Sequence, residues 1–210
     1  METLNKNTIE KETVALIKEA LNKAISYDEY RVLVASLAEE KKSTGTVQTE
    51  SLTNYTVLNN RRMKRLDKTI KVNETVIEKV KAYSKKITWL VLTESWCGDA
   101  AQTMPVMNKL AILNPNINLQ IIQRDQNLEL MNRFLINGTL SIPKLIMIDN
   151  DTLEVLGEWG SRPTIAAKMV EDYKKENGTL TPEFKEELQV WYNKDKGQNT
   201  IEDLVALLNV

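Results

Sequence analysis

An α/β fold with a mixed sheet is predicted for this chain by three observations. The apolar period changes near residue 87 from helical to strand-like, two short β-branched runs flank a helical segment, and two further runs enclose the turn Asp149-Asn150-Asp151. Residues 87–92 and 118–123 form the first pair of runs, each consistent with a buried strand, and residues 97–113 between them have helical spacing. Strand, crossover helix and strand make a βαβ unit, which favours parallel neighbours. A helix over 127–137 then leads to Ile142-Pro143, after which 145–148 and 153–156 read as the strands of a hairpin. A helix over 163–175, ended by Gly178, completes a βαβ-α-ββα core.

Helices are expected on either side of that core. Asn7 with Glu10, and Ser26 with Glu29, have capping-box spacing. Each precedes an apolar stripe, Val14, Ile17, Leu21 and Ala24 in one case and Tyr30, Leu33, Val34 and Leu37 in the other. The Ser/Thr-rich stretch 42–49 reads as a loop and 54–70 as a helix ending in a basic cluster. Asn73 caps a further helix bearing Val76, Ile77, Val80 and Tyr83. Near the carboxyl end, Thr181-Pro182 opens one helix, and Thr200 with Asp203 opens another. The division is therefore a helical extension over 1–72, a core over 73–178 and terminal helices over 179–210, expected in one compact unit. Trp191, Tyr192 and the leucines after residue 203 are expected to dock on the sheet or on the first two helices, which favours a monomer over a dimer.

Composition excludes several classes of function. The 210 residues are 42% hydrophobic and 27% charged with a formal net charge of −1, a balance that predicts neither nucleic acid nor an acidic substrate. Apolar stretches such as Trp89-Leu90-Val91-Leu92 fall far short of the ~20 residues of a membrane span. The polar start Met1-Glu2-Thr3-Leu4-Asn5-Lys6 lacks a signal-peptide apolar region, so a cytoplasmic location is expected. There is no histidine, which removes Ser-His and Cys-His catalysis, His-containing zinc sites and a histidine general base, and no metal is expected. Cys97 is the only cysteine, so no internal disulfide forms and a reducing compartment fits.

Cys97 lies in Trp96-Cys97-Gly98-Asp99-Ala100, which has the outline of a dithiol redox motif without its second sulfur. A Cys-x-x-Cys pair attacks a disulfide and then releases its partner with the second thiol, whereas a lone thiolate depends on an outside thiol. At the start of a helix the thiolate is favoured by unpaired N–H groups and the helix dipole. The nearby Asp99 carboxylate opposes this, so a modest lowering of the thiol pKa is expected. Lys144 either offsets part of the Asp99 effect or is an exposed lysine at a strand end. The bland alternative for Cys97 itself is a small, buried, inert residue.

Taken with Pro105 in the same helix and Ser141-Ile142-Pro143-Lys144-Leu145 opening a strand, the motif resembles the thioredoxin family. The similarity is to bacterial thioredoxin-like proteins with a helical amino-terminal extension, and Tyr55-Thr56-Val57-Leu58-Asn59 and Arg62-Met63-Lys64-Arg65-Leu66-Asp67-Lys68 add to it. The resemblance implies a thioredoxin fold with extra helices at both ends. It makes Cys97 the attacking cysteine, Trp96 its packing neighbour and Pro143 a cis-proline opposite it. Ile142 would offer its backbone N–H and C=O to an extended peptide beside Pro143 and Lys144, and Pro105 would bend the active-site helix. Two positions depart from the pattern. Ala100 stands where the resolving cysteine belongs, and Val91 stands where many thioredoxins keep a buried acid that serves the resolving step.

These readings lead to a monothiol thiol-disulfide oxidoreductase acting on a protein disulfide or a small-thiol mixed disulfide. It needs no cofactor, unless a low-molecular-weight thiol serves as co-substrate. The alternative is a non-catalytic adaptor that holds a protein partner across the Pro143 surface. The basic run Arg61, Arg62, Lys64, Arg65, Lys68 and Lys71 also has two readings. It is a solvated face behind a buried stripe of Met63, Leu66 and Ile70, or it flanks Cys97 and receives the carboxylates of a thiol such as glutathione or bacillithiol. A peroxiredoxin is excluded because Glu94 and Leu90 occupy the threonine and proline positions it requires, and a glutathione-transferase-like chain would not place its helices first.

Overall fold

The structure is a computed structural model that describes the backbone of residues 2–209 and the side chains of residues 8 and 10–209. Its first helix, α1 (Glu2–Lys23), already runs through Asn7, so the cap read there does not start it. Neither Gly nor Pro occurs among residues 2–6 to stop the helix from extending backwards. A two-residue strand, β1 (Ile25–Ser26), follows, too short to leave a pattern in the sequence. Ser26 then caps α2 (Tyr27–Glu39) through a complete capping box: Glu29 N–H donates to Ser26 Oγ at 3.3 Å, and Ser26 N–H donates to Glu29 Oε2 at 2.8 Å.

Helix α3 (Glu50–Thr69) begins a turn earlier than residue 54, because Thr49 Oγ1 accepts the Leu52 N–H at 3.2 Å and caps it. Asn73 caps α4 (Glu74–Ala82) by accepting the Val76 N–H at 2.9 Å. Next come β2 (Ile87–Thr93), α5 (Gly98–Ala111) and β3 (Ile117–Gln123), the βαβ unit, with β2 and β3 parallel in the register Ile87↔Ile117. Pro105 lies inside α5, where it cannot donate to the Ala101 carbonyl one turn back.

The helix expected over 127–137 is cut to one turn, α6 (Leu128–Met131). Ile136 and Thr139 exchange backbone hydrogen bonds at 3.0 Å around Asn137 (φ 50°) and Gly138 (φ 72°), a tight Asn-Gly turn that the helical pattern hid. The hairpin is formed by β4 (Lys144–Asp149) and β5 (Val155–Gly160), antiparallel, with the second strand starting two residues later than expected. Asp149 Oδ1 accepts the N–H groups of Asp151 and Thr152 at 2.9 and 3.0 Å, which lengthens the turn into a loop.

Helices α7 (Thr164–Asn177), α8 (Pro182–Asp195) and α9 (Gln198–Leu208) close the chain. Thr181 caps α8 as expected, and Gly178 ends α7 at φ 76°. The Thr200 and Asp203 box does not form, since α9 begins after Gly197. Asp203 instead reaches across to α7 and β5, accepting from Thr164 N–H at 2.9 Å, Thr164 Oγ1 at 2.8 Å and Trp159 Nε1 at 3.0 Å.

The five strands form one sheet in the order β1-β3-β2-β4-β5. Every residue of β2, the central strand, is buried. This fits its near-continuous apolar run, which carries no polar face. The two outer pairings and β2–β4 are antiparallel, so the sheet is mixed. Helix α3 packs on α5, and α9 packs on α5, α4, α7 and β5. The terminal leucines Leu204 and Leu208 therefore dock on the core, as expected. Helices α7 and α8 share a smaller apolar cluster in which the Tyr173 and Phe184 rings stack at 4.0 Å. Among the described residues no helix is long and apolar enough to cross a membrane.

Candidate functional site

The turn from β2 into α5 sets up the site. Cys97 N–H donates to the Glu94 carbonyl at 3.0 Å, and Ala100 N–H donates back to Cys97 Sγ at 3.4 Å, so the thiol itself caps α5. Across the site the thiol donates to the Ile142 carbonyl at 3.3 Å. The Ile142–Pro143 peptide bond is cis.

Helix α3 holds this turn in place through Ser95. Thr56 Oγ1 lies 2.8 Å from Ser95 Oγ, and Asn59 Nδ2 donates to the Ser95 carbonyl at 2.9 Å. From the preceding loop, Thr44 N–H donates to Ser95 Oγ at 2.9 Å, and Thr44 Oγ1 accepts the Ser95 N–H at 2.8 Å. All four residues are buried, so each of these bonds satisfies a group that water cannot reach. The amino-terminal helices thus build the site as well as cover the core.

A cleft of about 950 Å³ opens above the motif. Trp96, Cys97, Gly98 and Asp99 line its floor with Ser141 and Ile142, while α3 and α8 form facing walls. Of the residues expected at the site, Ala100, Pro143 and Lys144 do not line the cleft. Lys144 is 5% exposed and pairs with Glu158 at 2.6 Å, so it is neither an exposed strand-end lysine nor a neighbour that steadies a thiolate. Glu158 faces Ile146, two residues along β4, which puts it on the same side of the sheet as Lys144.

The charges around Cys97 come from distant parts of the chain. Asp99 accepts from Arg162 Nη2 at 2.6 Å and from the Tyr192 hydroxyl at 2.9 Å. Burial pushes the Asp99 carboxyl up, and Arg162, Tyr192 and Arg62 pull it back. Arg162 Nε is buried without a partner among the described residues. Arg62 reaches over the floor from α3: a Cβ placed on Gly98 would lie 3.6 Å from Arg62 Nη1. The remaining basic residues of that run, Arg61, Lys64, Arg65, Lys68 and Lys71, are exposed, while Met63, Leu66 and Ile70 are buried. The run is thus a solvated face with one member turned into the cleft. The Arg124 guanidinium stacks 5.1 Å from the Trp96 ring.

Burial pushes the Cys97 thiol up to about 12, with the Asp99 charge adding to it and the Ala100 N–H and Arg162 opposing. The modest lowering expected from the helix start is therefore overturned, because desolvation outweighs the dipole at a thiol only 7% exposed. Iodoacetamide alkylation of Cys97 is accordingly expected to rise about tenfold per pH unit from neutral pH to above 9.0, the ordinary value of the thiol, without levelling off. A plateau below that pH would show an acidic thiol instead. Val91 is buried and apolar within β2, yet Glu94 in the turn after that strand is fully buried with Oε1 accepting the Asp125 N–H at 2.8 Å, and burial pushes its carboxyl up too. Among the described residues no group of three or more acidic or sulfur side chains is placed to hold a metal ion.

The sequence alone did not single out Arg162, Tyr192, Thr56 or Asn59 as site residues. No local signal marks them, since each meets the motif only through contacts with residues far away in the chain.

A profile of the family described as thioredoxin matches residues 45–174. No functionally curated protein matches the sequence. Among solved structures, a Pseudomonas aeruginosa protein of unknown function superposes with a TM-score of 0.58 at 18% identity, over 88% of this chain and 98% of that one. An HIV epitope-scaffold protein superposes with a TM-score of 0.55, also at 18% identity over 88% and 98% of the two chains. At that identity the likeness concerns the fold alone. The family match takes in the turn, the cleft floor and the helix α3 that grips them, and it spans more than half of the sequence: the chain belongs to the thioredoxin family.

Proposed function

We propose that this protein is a monothiol thiol-disulfide exchange protein in which Cys97 starts an exchange that an outside thiol completes. The observation that supports this reading is the placement of the only sulfhydryl at the cap of α5, on the floor of an open cleft and 3.3 Å from the Ile142 carbonyl. The thiol attacks a substrate R–S–S–R′, the S–S bond breaks, Cys97–S–S–R forms, and the thiol proton leaves on R′–SH. A second thiol R″–SH then attacks the mixed disulfide, returns Cys97 to the thiol and departs as R–S–S–R″. A reducing cytoplasm supplies that second thiol.

Ala100→Cys tests whether only the resolving step is missing. Ala100 is buried one turn into α5 with its N–H on Sγ, so a thiol there lies within reach of Cys97. The variant is expected to reduce insulin with a dithiol at least about tenfold faster than the wild type. No gain, with Cys97 still open to alkylation, would show that more than the resolving thiol is absent.

The burial of the thiol favours a second reading, a non-catalytic adaptor that binds a protein partner beside Ile142 and Pro143. Pull-downs with Cys97→Ser separate the two. Partners lost in the variant and released by reductant support exchange, and partners retained unchanged support the adaptor.

A further inference from the structure

We propose that the cleft selects disulfides carrying a carboxylate close to the sulfur, and that Arg62 is the residue that reads it. The proposal rests on the exchange reading above and adds a substrate class to it. Arg62 sits over Gly98, the residue next to Cys97, and it lines the cleft wall. Its environment disfavours charge, since burial lowers its pKa, yet among the described residues it closes no salt bridge. Its hydrogen bond goes to Asn59 Oδ1 at 3.1 Å, a neutral acceptor. A half-buried guanidinium with no counter-ion is costly unless an anion completes it.

The other arginines of the cleft already have partners. Arg162 is held by Asp99 at 2.6 Å, and Arg124 by Asp125 at 2.7 Å. Asp99 acts on Arg62 without forming a salt bridge to it, and both Asp99 oxygens are taken by Arg162 and the Tyr192 hydroxyl. A carboxylate fits the vacancy better than a single-point anion, since the planar guanidinium can present two parallel N–H groups to two oxygens. The size of the space agrees. About 950 Å³ between α3 and α8 suits a small molecule, and Tyr55, Leu58 and Leu188 supply apolar wall beside the charge. A carboxylate a few bonds from the attacked sulfur would reach Arg62 while the sulfur meets Cys97.

Three small disulfides of similar size provide the test: dithiodiglycolate is anionic, hydroxyethyl disulfide is neutral and cystamine is cationic. The rate of mixed-disulfide formation on Cys97 is read by intact-protein mass for the wild type, Arg62→Gln and Arg62→Lys. In Arg62→Gln the ratio of the dithiodiglycolate rate to the hydroxyethyl disulfide rate is expected to fall about tenfold, the size of one charge-assisted contact. Arg62→Lys should recover part of that loss, and cystamine should gain relative to the neutral probe in Arg62→Gln. Because each comparison is a ratio between proteins, the intrinsic reactivity of the probes cancels. If Cys97 reacts but the ratios do not move with Arg62, the carboxylate subsite is wrong and the exchange reading stands. If none of the three disulfides modifies Cys97 in the wild type, the exchange reading itself fails.

Discussion

In Asp99→Asn, iodoacetamide should alkylate Cys97 at neutral pH at least about tenfold faster than in the wild type. The Asp99 charge is one of the two influences that raise the thiol, and it is the only one a single isosteric substitution removes. Asparagine keeps the side-chain shape, its one oxygen can still accept from Arg162, and its amide N–H can donate to the Tyr192 hydroxyl oxygen, so the frame around the thiol is retained. With the carboxylate gone, the Arg162 charge acts on the thiol with no anion beside it, and a thiolate gains what Asp99 formerly took, although burial still raises the thiol. The same change leaves a largely buried guanidinium without its counter-ion, which costs about 1–3 kcal/mol of stability. Faster alkylation in a less stable protein is the expected pair of results. Unchanged or slower alkylation would mean that Asp99 positions groups in the site without setting the thiol's charge.

Gly160→Ala should cost about 3 kcal/mol or more, read as a drop in the urea midpoint. Gly160 has φ 137°, a conformation that side chains rarely adopt. A Cβ there would run into the Pro143 carbonyl oxygen and lie 3.3 Å from Lys144 Cα, both backbone atoms that cannot turn aside. Strand β5 thus approaches β4 closely beside the Ile142–Pro143 segment, and the next two residues carry the chain to Arg162. Gly138→Ala provides the control. It also replaces a glycine of positive φ, 72°, but its added Cβ meets nothing within 4 Å, so it should cost only about 1–2 kcal/mol. Equal losses in the two variants would show that backbone strain alone, without the Pro143 contact, explains Gly160.

The contrast between legible and hidden features follows the range of the interactions behind them. Ser26, Asn73 and Thr181 were readable as caps because each closes a hydrogen bond within three residues. Thr200 and Asp203 have the same spacing, but Asp203 is used by Trp159 and Thr164, partners that no local pattern discloses. The strands of the βαβ unit were plain from their apolar runs, whereas β1 and the one-turn α6 depend on pairing and on the Asn137-Gly138 turn. At the site, the motif and Ile142 were visible as a sequence signature. The charge state of Cys97 was not, because it depends on burial and on Asp99 and Arg162, which meet from α5 and the connection between β5 and α7.

The hold of α3 on Ser95 also determines what can be cut away. A chain trimmed to begin at residue 73 would keep four of the five strands and the whole motif. It would nevertheless strand the Ser95 carbonyl and hydroxyl without Asn59, Thr56 and Thr44, and remove Arg62 from the cleft. The smallest unit able to present this cysteine is therefore larger than the smallest unit able to form most of this sheet, and modular excision should respect the first of these boundaries.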